Sequence, residues 1–364
     1  FFFLVCLVSS VAPATMFGLA MIHNSPVRSG LVQFDPSNGI MSFVSQNFNA
    51  TKYANVIPAT GDNVAIDKKR RVFYFLGDTA AGTVLVGVNM TDGSQICSAH
   101  VEIDEIRFVG LGQSIDYDDK RDELVISGLH NVSGTLTHQV LRTALASMKC
   151  SPFSHVGTFG EAIYVPMVHS SCFDSAAQTL FVTTATSQTG LAVAQVQLAR
   201  HPVETSFIPM QPPNEIVGMH EARASKLLVG IFPDSAGGPP FLNTYSLATK
   251  KWSSVRLTNT SLTIVGGNVG TLSALDQEEG VLYVLLVKSH PQDLMLDSLP
   301  RASLPRVGRA TRRQRSHLSH ASESDATDSG FVIAGIDIKT GSVLTSAPLV
   351  FPSSWAALFV MELS

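Results

Sequence analysis

One pattern recurs along the chain at a spacing near fifty residues. Ile66-Asp67-Lys68-Lys69-Arg70-Arg71-Val72-Phe73-Tyr74-Phe75 aligns with Tyr117-Asp118-Asp119-Lys120-Arg121-Asp122-Glu123-Leu124-Val125-Ile126. The same order of acidic residue, polar turn and β-rich run returns from Phe173-Asp174 to Leu180-Phe181-Val182. It returns again from His220-Glu221 to Leu227-Leu228-Val229, and from Leu275-Asp276 to Leu282-Tyr283-Val284. Each acid precedes an apolar residue by six positions, and successive acids stand 51, 56, 47 and 55 residues apart. A strand–turn–strand unit cannot bury its own apolar faces, so a regular series of them implies stacked repeats rather than separate domains.

A second hairpin follows the first within a period. Leu85-Val86-Gly87-Val88-Asn89 turns at Thr91-Asp92-Gly93, and Ile333-Ala334-Gly335-Ile336-Asp337 turns at Lys339-Thr340-Gly341. Glycine supplies the positive φ that such tight turns require. Four antiparallel strands per fifty residues predict the blade of a β-propeller. The two ends complete one another. Phe17 to Ile22, Leu31 to Asp35 and Ile40 to Val44 read as the last three strands of a blade, and Ala357 to Glu362 reads as its first. Closing one blade from both termini removes the open sheet edges of the ring. The expected fold is therefore all-β: a six-bladed propeller of four-stranded antiparallel blades over residues 15–364. In this architecture the chain resembles the six-bladed propellers with NHL, YWTD and quinoprotein-type repeats. It carries none of their signature motifs, so the resemblance implies a fold and assigns no residue a role.

Composition agrees with that reading. Charged residues make up 15% of the chain and apolar ones 45%, against about 25% charge in an average soluble domain. Surface helices need abundant Glu, Lys and Arg on their wet faces, and disorder needs low hydrophobicity, so both are excluded over most of the length. The net charge of −4 offers no broad basic surface, and nucleic acid is not an expected partner.

The N-terminus bears on compartment. Phe1-Phe2-Phe3-Leu4-Val5-Cys6-Leu7-Val8 is followed by Ala12-Pro13-Ala14, a short apolar core with an Ala-x-Ala site. This pattern predicts a signal peptide over residues 1–14, clipped at its start, and a chain secreted or displayed at the cell surface. The rival is a membrane anchor continuing to about Ile22. Four Asn-x-Ser/Thr sequons, at Asn49, Asn89, Asn131 and Asn259, fall in expected turns or interblade loops and are candidate glycosylation sites. With Cys6 removed, Cys97, Cys150 and Cys172 remain; one disulfide with a free thiol and three buried thiols both fit that odd number.

One segment departs from the repeat. Residues 288–330 swell the loop between the second and third strands of the fifth repeat, and residues 301–320 hold six Arg and no acid. Without residues 301–320 the net charge falls from −4 to −10, since −4 minus 6 is −10. A Ser/Arg/Pro/His/Ala composition cannot build a core, so a disordered surface loop is expected. Arg312-Arg313-Gln314-Arg315 carries the R-x-x-R spacing read by secretory proprotein convertases, whose acidic clefts need such anchors. The same run, with Arg309, alternatively suits a polyanion or an acidic membrane.

Ligands of propellers sit at the mouth of the central channel, where the loops leading into the first strands converge. The polar candidates there are Asp62, Asn63, Gln113, Ser114, His169, Ser170 and Asn268. His169, Asp62, Gln113 and Asn268 are the four to weigh for catalysis, but the matching positions of two repeats are apolar (Ile216, Val217, Ala357, Leu358). The recurring acids are expected to cap their own turns by accepting backbone N–H bonds. No G-x-S-x-G, G-x-G-x-x-G, P-loop, H-E-x-x-H or EF-hand spacing is present, and no metal or cofactor is expected. The sequence thus points to a secreted or cell-surface module, a monomer, binding an extracellular protein or glycan through its loop face. The alternative is a propeller enzyme, a metal-dependent hydrolase or quinoprotein-like, with its site at the channel mouth.

Overall fold

The computed structural model describes residues 15–22, 28–44, 57–58, 64–79, 82–103, 106–107, 114–132, 135–145, 148–161, 170–186, 190–210, 216–234, 238–264, 273–288, 331–350 and 355–363. Regular structure among them is β, apart from a single 3-10 turn at Arg223–Ser225. Among the described residues, six antiparallel sheets form the blades, each with strands a to d counted from the channel outward, and a seventh, two-stranded sheet pairs Glu102–Ile103 with Ile106–Arg107. Blade 1 comprises Val64–Asp67, Val72–Thr79, Gly82–Asn89 and Gln95–His100. Blade 2 comprises Ser114–Asp118, Glu123–Val132, Thr135–Ala144 and Ser154–Glu161. Blade 3 comprises Ser171–Asp174, Thr179–Thr186, Gly190–Gln197 and Glu204–Pro209. Blade 4 follows with Val217–Ala222, Leu227–Phe232, Phe241–Ser246 and Lys251–Arg256. Blade 5 comprises Ser273–Asp276, Val281–Lys288, Phe331–Asp337 and Val343–Pro348.

Blade 6 closes the ring as the sequence predicts. Its strand a is Trp355–Leu363, which pairs with Met16–Ile22; Arg28–Phe34 and Met41–Phe43 complete it. Met16–Ile22 is therefore a strand of the closing blade, which overturns its reading as part of a membrane anchor. No helix among the described residues is long and apolar enough to cross a membrane, and residues 1–14 lie outside the described set. The six strands a touch one another in cyclic order. Residues 289–330 also lie outside the described set; the first residue assigned to the insertion, Lys288, instead ends strand b of blade 5.

The period-2 alternation of each strand sends successive side chains to opposite neighbours. In strand b of blade 1, Phe73 and Phe75 pack with Phe17, Leu19 and Leu31 of blade 6. Between them, Tyr74 and Leu76 pack with Ile115, Leu124 and Ile126 of blade 2. Both faces are covered, so a run with no polar interruption is what the position demands, and each large side chain contributes roughly 1.5–3 kcal/mol by burial. Strands d face solvent on one side and alternate accordingly, as Lys251–Arg256 does. At the rim, the end of one strand d meets the third turn of the next blade. Thr258 N–H donates to the Gly341 carbonyl and Val343 N–H to the Thr258 carbonyl; Met41 N–H donates to Val350, and Val350 N–H to Gly39. Gly39 (φ +68°) and Gly341 (φ +71°) need glycine there: a Cβ on Gly39 would lie 2.2 Å from the Pro348 carbonyl oxygen, and one on Gly341 3.0 Å from Val255 Cγ1.

Candidate functional site

Polar side chains on strands a and b form two tiers along the channel wall. The lower tier is the ring of turns after strands a. Asp67 accepts from the Arg70 N–H (3.0 Å), Asp118 from those of Lys120 and Arg121 (3.2 and 3.3 Å), Asp174 from Ala176 and Ala177 (2.8 and 3.0 Å), and Asp276 from Glu278 and Glu279 (2.9 and 3.0 Å). These four acids cap their turns, as expected. Glu221 does not. The pairing places Ala222 opposite Leu227, where Asp67 stands opposite Val72, so Glu221 lies one rung earlier, opposite Leu228. The turn after it is the 3-10 turn, closed by Lys226 in the left-handed region. Glu362 lies opposite Phe17 within its strand.

The same tier fastens blade to blade. Arg70 bonds Asp67 and reaches across to Asp122 of blade 2. Hydrogen bonding to Asp122, then to Asp67, raises the Arg70 pKa, and the Arg70 bond holds the Asp122 carboxyl below the usual carboxylate range. Tyr117 donates to Asp122 (3.2 Å), and burial pushes its phenol up to about 12. At the next seam, Asp118 Oδ2 accepts from Gln178 Nε2 of blade 3 (2.8 Å) and from Arg142 (3.3 Å), which also bonds Glu123 and Gln178 Oε1. Burial, reinforced by the charge of Asp174 in blade 3, pushes Glu221 of blade 4 up to about 7. Its Oε2 lies 3.9 Å from Arg223 Nε. Gln277 of blade 5 donates to the Glu221 carbonyl and accepts from the Arg223 N–H.

The upper tier holds two pairs of identical construction. Asp116 Oδ2 of blade 2 accepts from Ser171 Oγ of blade 3 at 3.2 Å. His220 Nε2 of blade 4 lies 2.9 Å from Ser273 Oγ of blade 5, whose hydroxyl also lies within bonding distance of the Gly218 carbonyl at 3.3 Å. Both titrating side chains stand two rungs before the turn position, on strands a. Each keeps part of its surface open but lies deep among protein atoms, and burial favours the neutral form. It pushes Asp116 up to about 7, against the opposing Ser171 bond and the charge of Arg223, and His220 down to about 4. Between them, Cys172 occupies the same rung of blade 3 and packs with Ile216 and Met219.

The four residues weighed for catalysis, Asp62, Gln113, His169 and Asn268, lie outside the described residues, as does Asn63. Ser114 and Ser170 are described and buried; the Ser114 hydroxyl is used within its own blade, whereas only the backbone of Ser170 is, its Oγ having no hydrogen-bond partner among the described residues. Ser114 Oγ lies 2.6 Å from Ser127 Oγ, and the Ser170 N–H donates to Thr183 Oγ1 at 2.8 Å. Asn49 and the loop arginines Arg309, Arg312, Arg313 and Arg315 are outside the described set. Asn89 ends strand c of blade 1, with its Oδ1 accepting the Thr91 N–H (2.8 Å). Asn259 is exposed at φ +61°. Asn131 lies within strand b of blade 2 rather than in a loop. Among the described residues, no group of three or more His, Cys, Asp and Glu side chains is arranged to hold a metal ion.

Cys97 and Cys150 form a disulfide (Cα–Cα 5.5 Å) between the outer regions of blades 1 and 2, and Cys172 is buried and takes part in no disulfide. A shared signal identifies this staple and the polar pairs in the bare sequence. Cys97 and Cys150 are 53 residues apart, Arg70 and Asp122 52, His220 and Ser273 53, and Asp116 and Ser171 55. Complementary residues one repeat length apart occupy facing positions in adjacent blades.

No protein-family model matches the chain, and neither does any curated protein sequence. Among solved structures it is similar to TolB from Acinetobacter baumannii, at 6% identity over 67% of this chain and 64% of that one, with a TM-score of 0.39. A luciferin-regenerating enzyme gives 11% identity, 80% and 77% coverage and a TM-score of 0.42. Prolyl oligopeptidase B from Galerina marginata gives 10%, 94%, 41% and 0.46. The chain thus spans under two thirds of TolB and about two fifths of the oligopeptidase. The six sheets themselves define the fold, and none of these proteins' activities is carried to this chain.

Proposed function

We propose that this protein is a secreted or cell-surface propeller that binds an extracellular protein or glycan through its loop face. The observation that carries the reading is the Cys97–Cys150 disulfide, because such bonds persist in oxidising compartments and are rare in the cytosol. The sequons support it: Asn259 is exposed, and the turn at Asn89 occupies the side-chain oxygen while leaving the amide nitrogen as acceptor for a glycan. The binding face is the end of the ring opposite the acid-capped turns. Strands b outrun strands a there, and the basic insertion leaves blade 5 after Lys288 and returns at Phe331, opposite Val287. Its arginines suit an anionic partner, protein or glycan, and the R-x-x-R run offers a convertase site within the same segment.

The test is expression of the full chain in a secretory host. The expected result is release into the medium, a mobility shift on glycosidase treatment, and cell-surface binding by the labelled protein that weakens at least tenfold when residues 289–330 are deleted. Retention in the cytosol without glycan, or binding unchanged by the deletion, contradicts the reading. An enzyme acting in the channel is the second reading. Asp116 favours it, since a carboxyl held near neutrality and partly open can accept or donate a proton. Substrate turnover lost on Asp116→Asn, with cell binding kept, would select it.

A further inference from the structure

The end of the ring that carries the turns after strands a sorts its charges by depth. Where blades 1 and 2 meet, every acid is engaged within the fold. Asp67 and Asp118 are buried and cap their turns. Asp122 is held by Arg70, and Glu123 by Arg142. Asp119 accepts from the Ser175 hydroxyl of blade 3 at 2.5 Å, and Asp92 caps its own turn through the Ser94 N–H at 2.9 Å. The cations are disposed the other way. Lys68, Lys69, Arg71, Lys120, Arg121 and Lys149 are exposed, and none of them stands in a salt bridge among the described residues. Counting Arg70 and Arg142, eight cations oppose six acids here, so the sum is small and the layering is what matters. Capping carboxylates stay at the level of the backbone, while Lys and Arg stems carry their charge beyond it. The Arg70–Asp122 bridge joins the two turns, and the Leu145 N–H donates to the Asp122 carbonyl (3.0 Å), which ties the turn of Lys149 to them. Blade 5 lies across the ring from blade 2, and its turn exposes Glu278 and Glu279 at the same end.

We propose that the joined turns of blades 1 and 2 bind a sulfated polysaccharide, at the end of the ring away from the loop face. A narrow linear polyanion can follow the cations of two blades and leave blade 5 aside. An anionic membrane is a plane, and would press on Glu278 and Glu279 as well. A protein partner is usually held by buried aromatic or arginine anchors. These turns expose no aromatic side chain, and Met148 is the one large apolar side chain they expose among the described residues. Cations without acid partners suit a polyelectrolyte, because each charge they neutralise releases a condensed counterion. Sulfates, Lys and Arg all keep their charge from about pH 5 to 9, so binding depends on salt and not on pH. The sulfated class rests on the secretory reading, since such polymers are extracellular. The surface itself does not involve the basic insertion, which leaves and rejoins the ring at the opposite end.

Lysine acetylation of the purified full chain, with and without heparin, tests this. Heparin is expected to slow the acetylation of Lys68, Lys69 and Lys120 about fivefold and to leave Lys250 and Lys251 of blade 4 nearly unchanged. Lys68→Gln, Lys69→Gln, Lys120→Gln and Arg121→Gln together are expected to weaken heparin binding about tenfold at about 0.15 M salt, with Tm unchanged. Deletion of residues 289–330 is expected to leave the protection in place, which separates this surface from binding by the loop face. Lysines of blades 1 and 2 left unprotected, or a quadruple variant that binds as the wild type does, overturn the proposal. Stronger protection of the same lysines by phosphatidylserine vesicles or by polyglutamate than by heparin also overturns it, in favour of a membrane or an acidic protein. Should the quadruple variant not fold, the wild-type protection pattern decides.

Discussion

The seam between blades 1 and 2 and the seam between blades 4 and 5 join the same repeat by different means. At the first, Cys97 bonds Cys150 and Arg70 bridges Asp67 to Asp122, over an apolar face built on Tyr74, Ile115 and Leu124. At the second, a face of Val229, Leu282 and Ile336 is joined by the neutral His220–Ser273 pair, by Gln277 to the Glu221 backbone, and by rim hydrogen bonds between Thr258 and the Gly341 turn. The repeat therefore dictates where a fastener can sit and leaves its chemistry open. One seam answers to reductant and salt; the other answers to backbone geometry.

That contrast can be broken at either seam. The largest effect is expected from Cys97→Ser with Cys150→Ser: removing a cross-link between residues 53 apart should cost about 4 kcal/mol in chemical denaturation, with no further loss on adding reductant. Gly341→Ala should cost about 2 kcal/mol, from its positive φ and the contact with Val255, and the cost should be the same with and without reductant. Because the two sites lie at remote seams, the combined variant should show additive losses; strong coupling would mean that the seams are not separate fasteners.

The repeat, the closing blade and the turn acids were legible because each is a local pattern. Asp67, Asp118, Asp174 and Asp276 precede short polar turns, and an aspartate there bonds the next backbone N–H groups whatever the tertiary context. Blade 4 departs from the repeat because its turn is not of that kind. The 3-10 turn ending at Lys226 does without an acid cap, so Glu221 looks like the recurring acid while standing one rung away and turned to another use. The sequon at Asn131 sits in a hairpin arm longer than those of the other repeats, paired along its whole length with strand c of its own blade. Cysteine parity leaves the disulfide open, because it says nothing about partners. Its 53-residue spacing is the missing clue, the same one that pairs His220 with Ser273. Pairing by period becomes visible only once the repeat is read as a ring.

The most direct test is peptide mapping of the full chain, recovered from the medium of secreting cells and digested without reduction. A linked pair containing Cys97 and Cys150, with Cys172 recovered as a free thiol, is the result that a ring stapled between its first two blades in an oxidising compartment requires. Cys97 recovered free, or joined to Cys172, would contradict it.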